Sequence, residues 1–334
     1  MHSASPAEEP TLADTHHEIL VYGASGFTGR CCVAALEAAG IRYRVGGRSR
    51  ARLEAVAGPG CVGVRVADAA DLGDAFADAS CVIATVGPFA RHGLPVLDAA
   101  IAAGAHYVDT TAEQPFMRAA LTRHDAAQSA GITALPACGV EYAPMFLGAA
   151  LLSEGPVDSY LWLDRFLPTR GSVRSMVAMA GVGPMPWPRG VQVEERQGYA
   201  VTIPGAEAIF LHPDCRTHLM LRRIEAFPIA ALWPIAARLP PGRFADAIAD
   251  RLTDPNPEQR ADAAYTVVVA QGKEAVRLDG RDIYASTGRF AAQLARLLVD
   301  GKAHTAGVLA TGQALDPHLA LDALELTARR VRLR

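Results

Sequence analysis

The chain has 334 residues, of which 50% are hydrophobic and 20% are charged, and its formal net charge is −3. This length is enough for two domains, the composition is that of an ordinary globular protein, and the small negative charge provides no basic surface for nucleic acid. Residues 1–17 are polar and lack an apolar core, which predicts a flexible tail rather than a signal peptide. The longest apolar stretch, residues 227–239, is interrupted by prolines and is too short to span a membrane. We therefore expect a cytoplasmic protein whose six cysteines are free thiols.

From residue 18 onward, short apolar segments alternate with longer segments of helical pattern. Strands are predicted at "EILVYGA", "YRVGGRS", "CVGVRVAD", "SCVIATVGP", "AHYVDTT" and "ITALPACG". Helices are predicted between and after them, among them a single helix over residues 115–131. Such alternation indicates a parallel sheet that is covered by helices on both faces. We predict a doubly wound, Rossmann-type α/β domain over residues 18–150.

Beyond residue 150 the pattern changes. Strands are predicted at "SYLWLDRF" and "YAVTIPG", a hairpin at "AYTVVVAQG" and "AVRLDGRDIYAST", and a helix at "GRFAAQLARLLVDG". We predict a second α/β domain with a mixed sheet over residues 151–286, which binds substrate or forms a dimer interface. Residues 287–334 are predicted to form C-terminal helices that pack on the first domain. The apolar segments of this half are compatible with a homodimer.

A glycine-rich loop joins the first predicted strand to the first predicted helix in "VYGASGFTGR". Its three glycines are three residues apart, so the backbone can turn tightly, approach phosphates and pack the helix closely on the strand. The helix N-terminus then directs free N–H groups at a pyrophosphate. The predicted pyrophosphate site comprises Gly23, Ser25, Gly26, Phe27, Thr28 and Gly29.

The end of the second predicted strand, "VGGRSR", indicates which cofactor binds. At this place an NAD site usually carries an acidic residue for the ribose hydroxyl, whereas this chain has Arg48 and Ser49. Because a guanidinium suits a phosphate, we predict NADP(H). The sequence contains no P-loop, no nucleophile elbow and no Tyr/Lys pair at the spacing of short-chain dehydrogenases, which excludes those classes.

Residues 19–150 resemble the saccharopine dehydrogenase-like family, which includes saccharopine reductases and trans-acting enoyl reductases. The glycine loop, "GGRS", "GPF", "GLP", "AGAHYVDTT" and "ACG" carry the resemblance, and "TRGSVRSM" and "LDGRDIYAST" are more weakly similar to the second domain of the family. The resemblance implies a Rossmann domain, a second α/β domain, and a nicotinamide cofactor and small-molecule substrate in the cleft between them.

Further cofactor contacts are implied only by this resemblance. In chain order they are Asp68 near the adenine, Val86, Gly87 and Pro88 along the ribose and nicotinamide, Asp109 at the end of strand five, and Cys138 and Gly139 near the nicotinamide. The resemblance also places Tyr107 and Glu113 on the cleft side at the end of strand five. Asp109 is also suited to hold backbone N–H groups of the next loop. Many relatives carry two acids in the segment after Gly139, but this chain keeps only Glu141 and has Phe146 at the second position, so we expect a more apolar pocket there.

The chemistry expected of a nicotinamide enzyme leaves two acceptors open, a C=N bond and a C=C bond conjugated to a carbonyl. Glu141 and Tyr142 are the candidate catalytic residues for either one, with mere packing of their loop as the alternative. Two other functions remain open: a protein that binds NADP(H) without turnover, and an NADP-linked amino acid dehydrogenase. The several carboxylates of saccharopine would require an arginine cluster, for which Arg165, Arg170 and Arg174 are candidates, whereas Met185, Trp187 and Trp233 favour a less polar substrate or a dimer surface.

The segment "HPDCRTH" contains residue types that can bind a metal ion. His212, Cys215 and His218 are three residues apart, but no fourth ligand lies nearby. We interpret this segment as a loop and predict no metal.

Overall fold

The computed structural model describes residues 18–68, 71–165, 167–180, 186–194, 196–203, 205–236, 238 and 250–333. The predicted tail over residues 1–17 and the prediction for Met185 lie outside these ranges. The first half of the chain contains the strands β1 (Ile19–Tyr22), β2 (Tyr43–Gly47), β3 (Cys61–Val66), β4 (Cys81–Ala84), β5 (His106–Asp109) and β6 (Thr133–Leu135). Its helices are α1 (Phe27–Ala38), α2 (Arg50–Glu54), α3 (Gly73–Phe76), α4 (Phe89–Ala102), α5 (Gln114–Leu121), α6 (His124–Ser129) and α7 (Ala143–Ala150).

The second half contains more antiparallel structure. Its strands are β7 (Asp158–Leu163), β8 (Arg189–Val193), β9 (Arg196–Ile203), β10 (Arg216–Leu221), β11 (Ala264–Gln271), β12 (Glu274–Arg281), β13 (Gly307–Val308) and β14 (Arg329–Arg332). Its helices are α8 (Arg170–Ala180), α9 (Glu207–Phe210), α10 (Arg223–Ala236), α11 (Pro257–Ala261), α12 (Ile283–Val299), α13 (Thr311–Ala314) and α14 (Pro317–Ala323).

The first sheet has the strand order β13-β6-β5-β4-β1-β2-β3, and all its neighbouring strands are parallel. The strands β1, β4 and β6 are buried over their whole length, as expected for a sheet covered on both faces. The helix α12 packs on α1 and on β4 and β5. The predicted Rossmann-type fold is confirmed.

The second sheet has the order β14-β12-β11-β7-β10-β9-β8. Only β7 and β10 pair in parallel, and the remaining pairs are antiparallel, so the predicted mixed sheet is also confirmed. One face of this sheet joins the main core through residues such as Leu161, Val267 and Leu278. A separate apolar cluster with Trp162, Met220 and Val268 lies on alternate residues of the same strands.

Three local predictions were wrong, each for a local reason. The single helix predicted over residues 115–131 is divided into α5 and α6, because the hydroxyl and the N–H of Thr122 both donate to the carbonyl of Ala119. The end of the predicted hairpin, "DIYAST", begins α12, where Asp282 accepts hydrogen bonds from Tyr284 N and Ala285 N. The segment predicted as C-terminal helices also supplies strands, β13 to the first sheet and β14 to the second. The domain boundaries at residues 150 and 286 stay predictions.

No helix among the described residues is both long and apolar enough to cross a membrane. All six cysteines are free.

Candidate active site

The glycine loop between β1 and α1 has the geometry of a phosphate site. Gly23 has a φ of +92°, and a Cβ there would lie 2.7 Å from Thr85 Oγ1. A Cβ on Gly29 would overlap the carbonyl oxygen of Gly23, so this residue allows α1 to pack against the loop. Gly26 is the N-cap of α1, and no side chain caps the helix. The first N–H groups of α1 therefore remain available to an anionic ligand.

Side chains around this loop add positive charge. Phe27 packs edge-on against Tyr284, with ring centroids 5.0 Å apart, and the guanidinium carbons of Arg30 and Arg260 lie 5.9 and 5.3 Å from its ring. The backbone carbonyl of Ser25 accepts a hydrogen bond from Arg30 Nη1 at a distance of 2.8 Å. The predicted phosphate site thus combines backbone amides with two nearby arginines.

The predicted adenosine side lies at the ends of β2 and β3. Arg48 and Ser49 are exposed, and Ser49 is the N-cap of α2 without a side-chain hydrogen bond to the helix. Tyr22 donates a hydrogen bond to the carbonyl of Ala67 and lies near Asp68 and Arg48. Burial and the negative charge of Asp68 raise the pKa of Tyr22, while Arg48 opposes that shift. The fold therefore brings both charged residues to the same end of the first sheet.

A cavity of about 390 Å³ opens from the glycine loop across the carboxyl ends of β4, β5 and β6. On this side it is lined by Gly26, Phe27, Thr28, Thr85, Gly87, Pro88, Phe89, Thr110, Ala112, Val140, Glu141, Tyr142 and Met145. A Cβ on Gly87 would meet open space, so the backbone is accessible at the end of β4. This is the edge at which ligands bind in open parallel sheets.

Of the fifteen predicted cofactor residues, five line this cavity, and the other ten do not, namely Gly23, Ser25, Gly29, Arg48, Ser49, Asp68, Val86, Asp109, Cys138 and Gly139. Asp109 is fully buried, and its Oδ1 accepts hydrogen bonds from Thr111 N at 2.8 Å and Ala137 N at 3.0 Å. Burial raises its pKa to about 7, against the effect of these two hydrogen bonds. Asp109 thus holds the loops after β5 and β6 in place, which is the structural role considered for it. Cys138 is also fully buried, and burial raises its thiol pKa well above the ordinary value.

The carboxyl group of Glu141 lies in the cavity, folded back over Gly139. Its Oε2 is 2.6 Å from the position that a Cβ of residue 139 would take. Burial raises its pKa, and among the described residues no ion pair or hydrogen bond from another side chain reaches it. Glu141 is therefore more readily protonated than an exposed glutamate, and it lies where it can exchange a proton with a molecule in the cavity.

Tyr142, beside Glu141, is almost completely buried and forms the N-cap of α7. Burial and the nearby carboxylates of Glu207 and Glu141 raise its pKa well above the usual range, so the phenol keeps its proton. Its ring stacks on Phe146 at 6.3 Å, and Phe146 contacts Phe210 edge-on. The position where relatives carry a second acid is thus part of an aromatic cluster.

The opposite wall of the cavity belongs to the second half of the chain. Its apolar residues are Leu161, Leu163, Leu167, Met176, Val201, Ile203, Leu219, Ile229 and Trp233. Polar groups from Thr169, Ser172, Arg174, Ser175, Thr217 and His218 are interspersed among them. Of the three arginines considered for a carboxylate-rich substrate, only Arg174 lines the cavity, and it pairs with Asp250 at 3.1 Å.

The two walls are connected by residues that the sequence analysis did not assign to this role. Glu113 is buried and accepts hydrogen bonds from Phe89 N and Ala90 N at the start of α4. Its Oε1 also accepts a hydrogen bond from Ser175 Oγ of α8 at 3.1 Å. A carboxylate at a helix N-terminus is stabilised by the helix dipole, and here it also binds the opposite wall. No local pattern around Ser175 indicated this contact.

Tyr284, at the start of α12, is a second connection that sequence reasoning missed. Its hydroxyl donates to the carbonyl of Leu167 at 2.7 Å and accepts from Thr169 N at 3.1 Å. It also lies 3.1 Å from Ser172 Oγ. Together with its ring contact to Phe27, this network positions the start of α8 against the glycine loop.

The histidines and cysteine of "HPDCRTH" do not form a metal cluster in the described part of the chain. His212 is close to Asp214, whereas Cys215 accepts a hydrogen bond from Val157 N. His218 is completely buried in β10, where its Nδ1 lies 3.0 Å from Thr202 Oγ1 and its ring stacks on Tyr160.

The segment of the chain that forms the glycine-loop side of the cavity resembles a known protein family. Residues 19–135 match the family model of the saccharopine dehydrogenase NADP binding domain. This region is therefore similar to the NADP-binding domain of saccharopine dehydrogenases. The match confirms the predicted resemblance and the predicted nicotinamide cofactor.

The same part of the chain is similar to curated mycobacterial proteins. A putative trans-acting enoyl reductase of Mycobacterium tuberculosis (strain ATCC 25618 / H37Rv) is 35% identical over 155 residues, which cover 42% of this chain and 36% of the relative. A trans-acting enoyl reductase of Mycobacterium leprae (strain TN) is 36% identical over 152 residues, with the same coverage. The chain therefore matches little more than a third of the length of these relatives.

Over nearly the whole chain, the fold is similar to that of a solved structure. The apo saccharopine dehydrogenase (L-Glu forming) of Saccharomyces cerevisiae superposes with a TM-score of 0.63 and covers 95% of this chain and 100% of its own. The two sequences are 14% identical, so the likeness is one of fold.

Proposed function

We propose that this chain is an NADPH-dependent reductase that adds hydride to a conjugated C=C bond or a C=N bond of a small, largely apolar metabolite. The observation that carries the proposal is one cavity with three parts. It has an uncapped helix N-terminus behind a glycine loop, Glu141 in its lining, and an apolar opposite wall. The names of the mycobacterial relatives make an enoyl acceptor the first one to test.

The residues present fit a dinucleotide. The loop backbone and the α1 amides would hold its pyrophosphate, and the accessible backbone at Gly87 and Pro88 would contact the nicotinamide end. Arg48 and Ser49 at the end of β2 favour the ribose phosphate of NADPH, because the exposed guanidinium can pair with it. When bound, the nicotinamide supplies the hydride.

Glu141 and Tyr142 are proposed to supply proton and polarisation. Reduction of a conjugated C=C bond leaves negative charge on the carbonyl oxygen and requires a proton on the adjacent carbon. A neutral Glu141 can give that proton, and the protonated phenol of Tyr142 can donate a hydrogen bond to the oxygen. For a C=N acceptor, ionised Glu141 would instead stabilise the iminium cation.

The composition of the opposite wall argues for an apolar substrate rather than saccharopine. In the described part of this wall, Leu161, Val201, Leu219 and Trp233 stand in place of the group of cations that several carboxylates would need. The one described arginine in the lining, Arg174, already has an acidic partner. We also propose a cytoplasmic location, on the basis of the free cysteines, and a homodimer, as expected from the sequence.

The decisive experiment follows NADPH oxidation with two substrate series, enoyl thioesters of increasing chain length and cyclic imines. Oxidation with one series, and improvement with apolar chain length, would support the proposal. Tight NADPH binding without oxidation by either series would favour a binding protein without turnover. Reduction of NADP by added amino acids, without NADPH oxidation, would favour an amino acid dehydrogenase.

A further inference from the structure

The helix α10 is apolar on both of its sides. Ala226, Ile229, Ala230 and Trp233 face inward, where Ile229 and Trp233 line the cavity. The opposite side is exposed, although it also consists of apolar residues. Such a helix has a buried face that explains its position and an outer face that requires another partner.

The outer face forms a continuous stripe. Ile224, Leu232 and Ile235 are 73%, 60% and 55% exposed, and Pro228 and Ala231 lie between them along the same side of the helix. Trp187, which is 63% exposed, extends the stripe sideways, because its ring contacts Phe227 of α10 at 5.6 Å. We call these six exposed residues (Trp187, Ile224, Pro228, Ala231, Leu232 and Ile235) the α10 stripe.

Basic residues lie at both ends of the α10 stripe. Arg222 and Arg223 are exposed at the start of the helix and Arg238 just beyond its end, and Arg189 is exposed two residues from Trp187. Glu225 is the acid close to this group within the helix, and it pairs with Arg222. Among the described charged residues next to the stripe, these four arginines outnumber the one acid, Glu225, whereas the chain as a whole is net negative.

We infer that the α10 stripe docks on the surface of an anionic lipid bilayer. An aromatic and aliphatic face with flanking arginines is the composition of helices that lie in the membrane interface, where the apolar side enters the headgroup region by about 5–10 Å. A second copy of the chain fits less well. An antiparallel pair of α10 helices would place the arginines at one end against Arg238 of the other, whereas anionic headgroups neutralise both ends.

This docking connects the bilayer with the cavity. The outer side of α10 touches the lipid, while Ile229 and Trp233 on its inner side form part of the apolar wall, a separation of about one helix diameter, or roughly 10 Å. An apolar molecule dissolved in the membrane would thus have a short path to the cavity. The docking itself does not depend on the proposed reductase activity.

The test measures binding of the full chain to vesicles, without NADPH or substrate. Phosphatidylcholine vesicles with and without phosphatidylserine are compared by flotation. We expect binding to the anionic vesicles, at least about tenfold weaker binding to the neutral ones, and loss of binding at high salt. The double variant Ile224→Ser and Leu232→Ser should lose most of the binding, whereas Val62→Ser with Leu319→Ser, at exposed apolar positions elsewhere, should keep it.

Trp187 gives a second, independent readout. Of the three tryptophans, Trp162 and Trp233 are buried, so Trp187 should account for a blue shift of emission when anionic vesicles are added, and Trp187→Phe should abolish the shift. Absence of vesicle binding by the wild type would overturn the inference. So would a concentration-dependent dimer that the Ile224→Ser and Leu232→Ser variant abolishes, since a second copy would then cover the stripe.

Discussion

One wall of the cavity offers backbone groups beside the side chains of Glu141 and Tyr142, whereas the other wall consists largely of apolar side chains. On the first wall, the glycine loop, the start of α1 and the backbone at Gly87 present main-chain atoms to the ligand. On the second wall, leucine, valine and tryptophan side chains from β7, β9, β10 and α10 determine the shape. A backbone site depends on glycines whose spacing is visible in the sequence, whereas a side-chain site depends on residues that are ordinary core residues in any sheet.

The two walls would also recognise different molecules, the dinucleotide on the first wall and the substrate on the second. The first wall can recognise a group that every dinucleotide carries, and its geometry tolerates few substitutions. In the proposed reductase, the second wall would select substrates by volume and apolarity, so its side chains could change one at a time without loss of the fold. Substitutions in the two walls, and in a contact between them, test this contrast.

Gly29→Ala should break the first wall. The added Cβ would collide with the carbonyl of Gly23, so α1 must move away from the loop. We expect about 100-fold weaker NADPH binding, equivalent to about 2.7 kcal/mol, measured by fluorescence titration, and a stability loss of about 1–3 kcal/mol. Gly73→Ala is the matched control, because a Cβ there meets open space. Unchanged NADPH binding in Gly29→Ala would show that the loop does not hold the pyrophosphate.

Glu141→Gln should lower catalysis without disturbing cofactor binding. Loss of the proton donor is expected to reduce kcat/KM about 100-fold, while the Kd for NADPH stays the same. Because burial raises the pKa of Glu141, the wild-type rate should fall as pH increases through that raised pKa, and the rate of the variant should lose this dependence. Stopped-flow traces over a pH series measure both effects. Glu154→Gln, an exposed carboxyl, serves as control, and an unaltered pH profile in Glu141→Gln would assign the proton to another group.

Arg48→Gln tests a side-chain contact that is proposed to lie next to the backbone site of the first wall. We expect about tenfold weaker NADPH binding, about 1.4 kcal/mol, with NADH binding unchanged. Arg52→Gln, at an exposed arginine on the next helix, should affect neither cofactor. Equal weakening for NADPH and NADH would mean that Arg48 does not contact the ribose phosphate.

Ser175→Ala removes one of the direct links between the walls. The lost hydrogen bond to the Glu113 carboxylate should cost about 1 kcal/mol of stability, seen as a small decrease in Tm. The KM for substrate should rise more than the KM for NADPH, because α8 belongs to the substrate wall. The exposed Ser129→Ala is the control, and identical KM values in Ser175→Ala and wild type would restrict this contact to a structural role.

The contrast also explains which features could be predicted from the sequence. The six strands of the first half were predictable, because buried parallel strands are short apolar runs that helices separate. The glycine loop was predictable because its conformation restricts residue type. Glu141 was found by resemblance, but its lack of an ion pair among the described residues and its position over Gly139 follow from three-dimensional packing alone.

The missed features arise from long-range contacts. Glu113 and Ser175 form a hydrogen bond across 62 residues of sequence, and Tyr284 forms one across 115 residues. No periodicity in the sequence encodes such pairs. The strand β13 has two residues, which is too short for any alternation, and it forms because Gly307 N and Leu309 N reach the carbonyls of β6 and its preceding residue. Local patterns thus predicted elements and a cofactor, whereas the assembly of the cavity depended on tertiary structure.

The last strands of the chain have a consequence for dissecting the protein. β13 completes the edge of the first sheet and β14 the edge of the second, while α12 covers the first sheet from between them in sequence. A fragment truncated near residue 150 would leave the hydrogen-bonding edge of β6 and the apolar surface beneath α12 open to solvent, which favours aggregation. The nucleotide-binding half is therefore not a portable module, and fusions or truncations need to preserve the C-terminal segment.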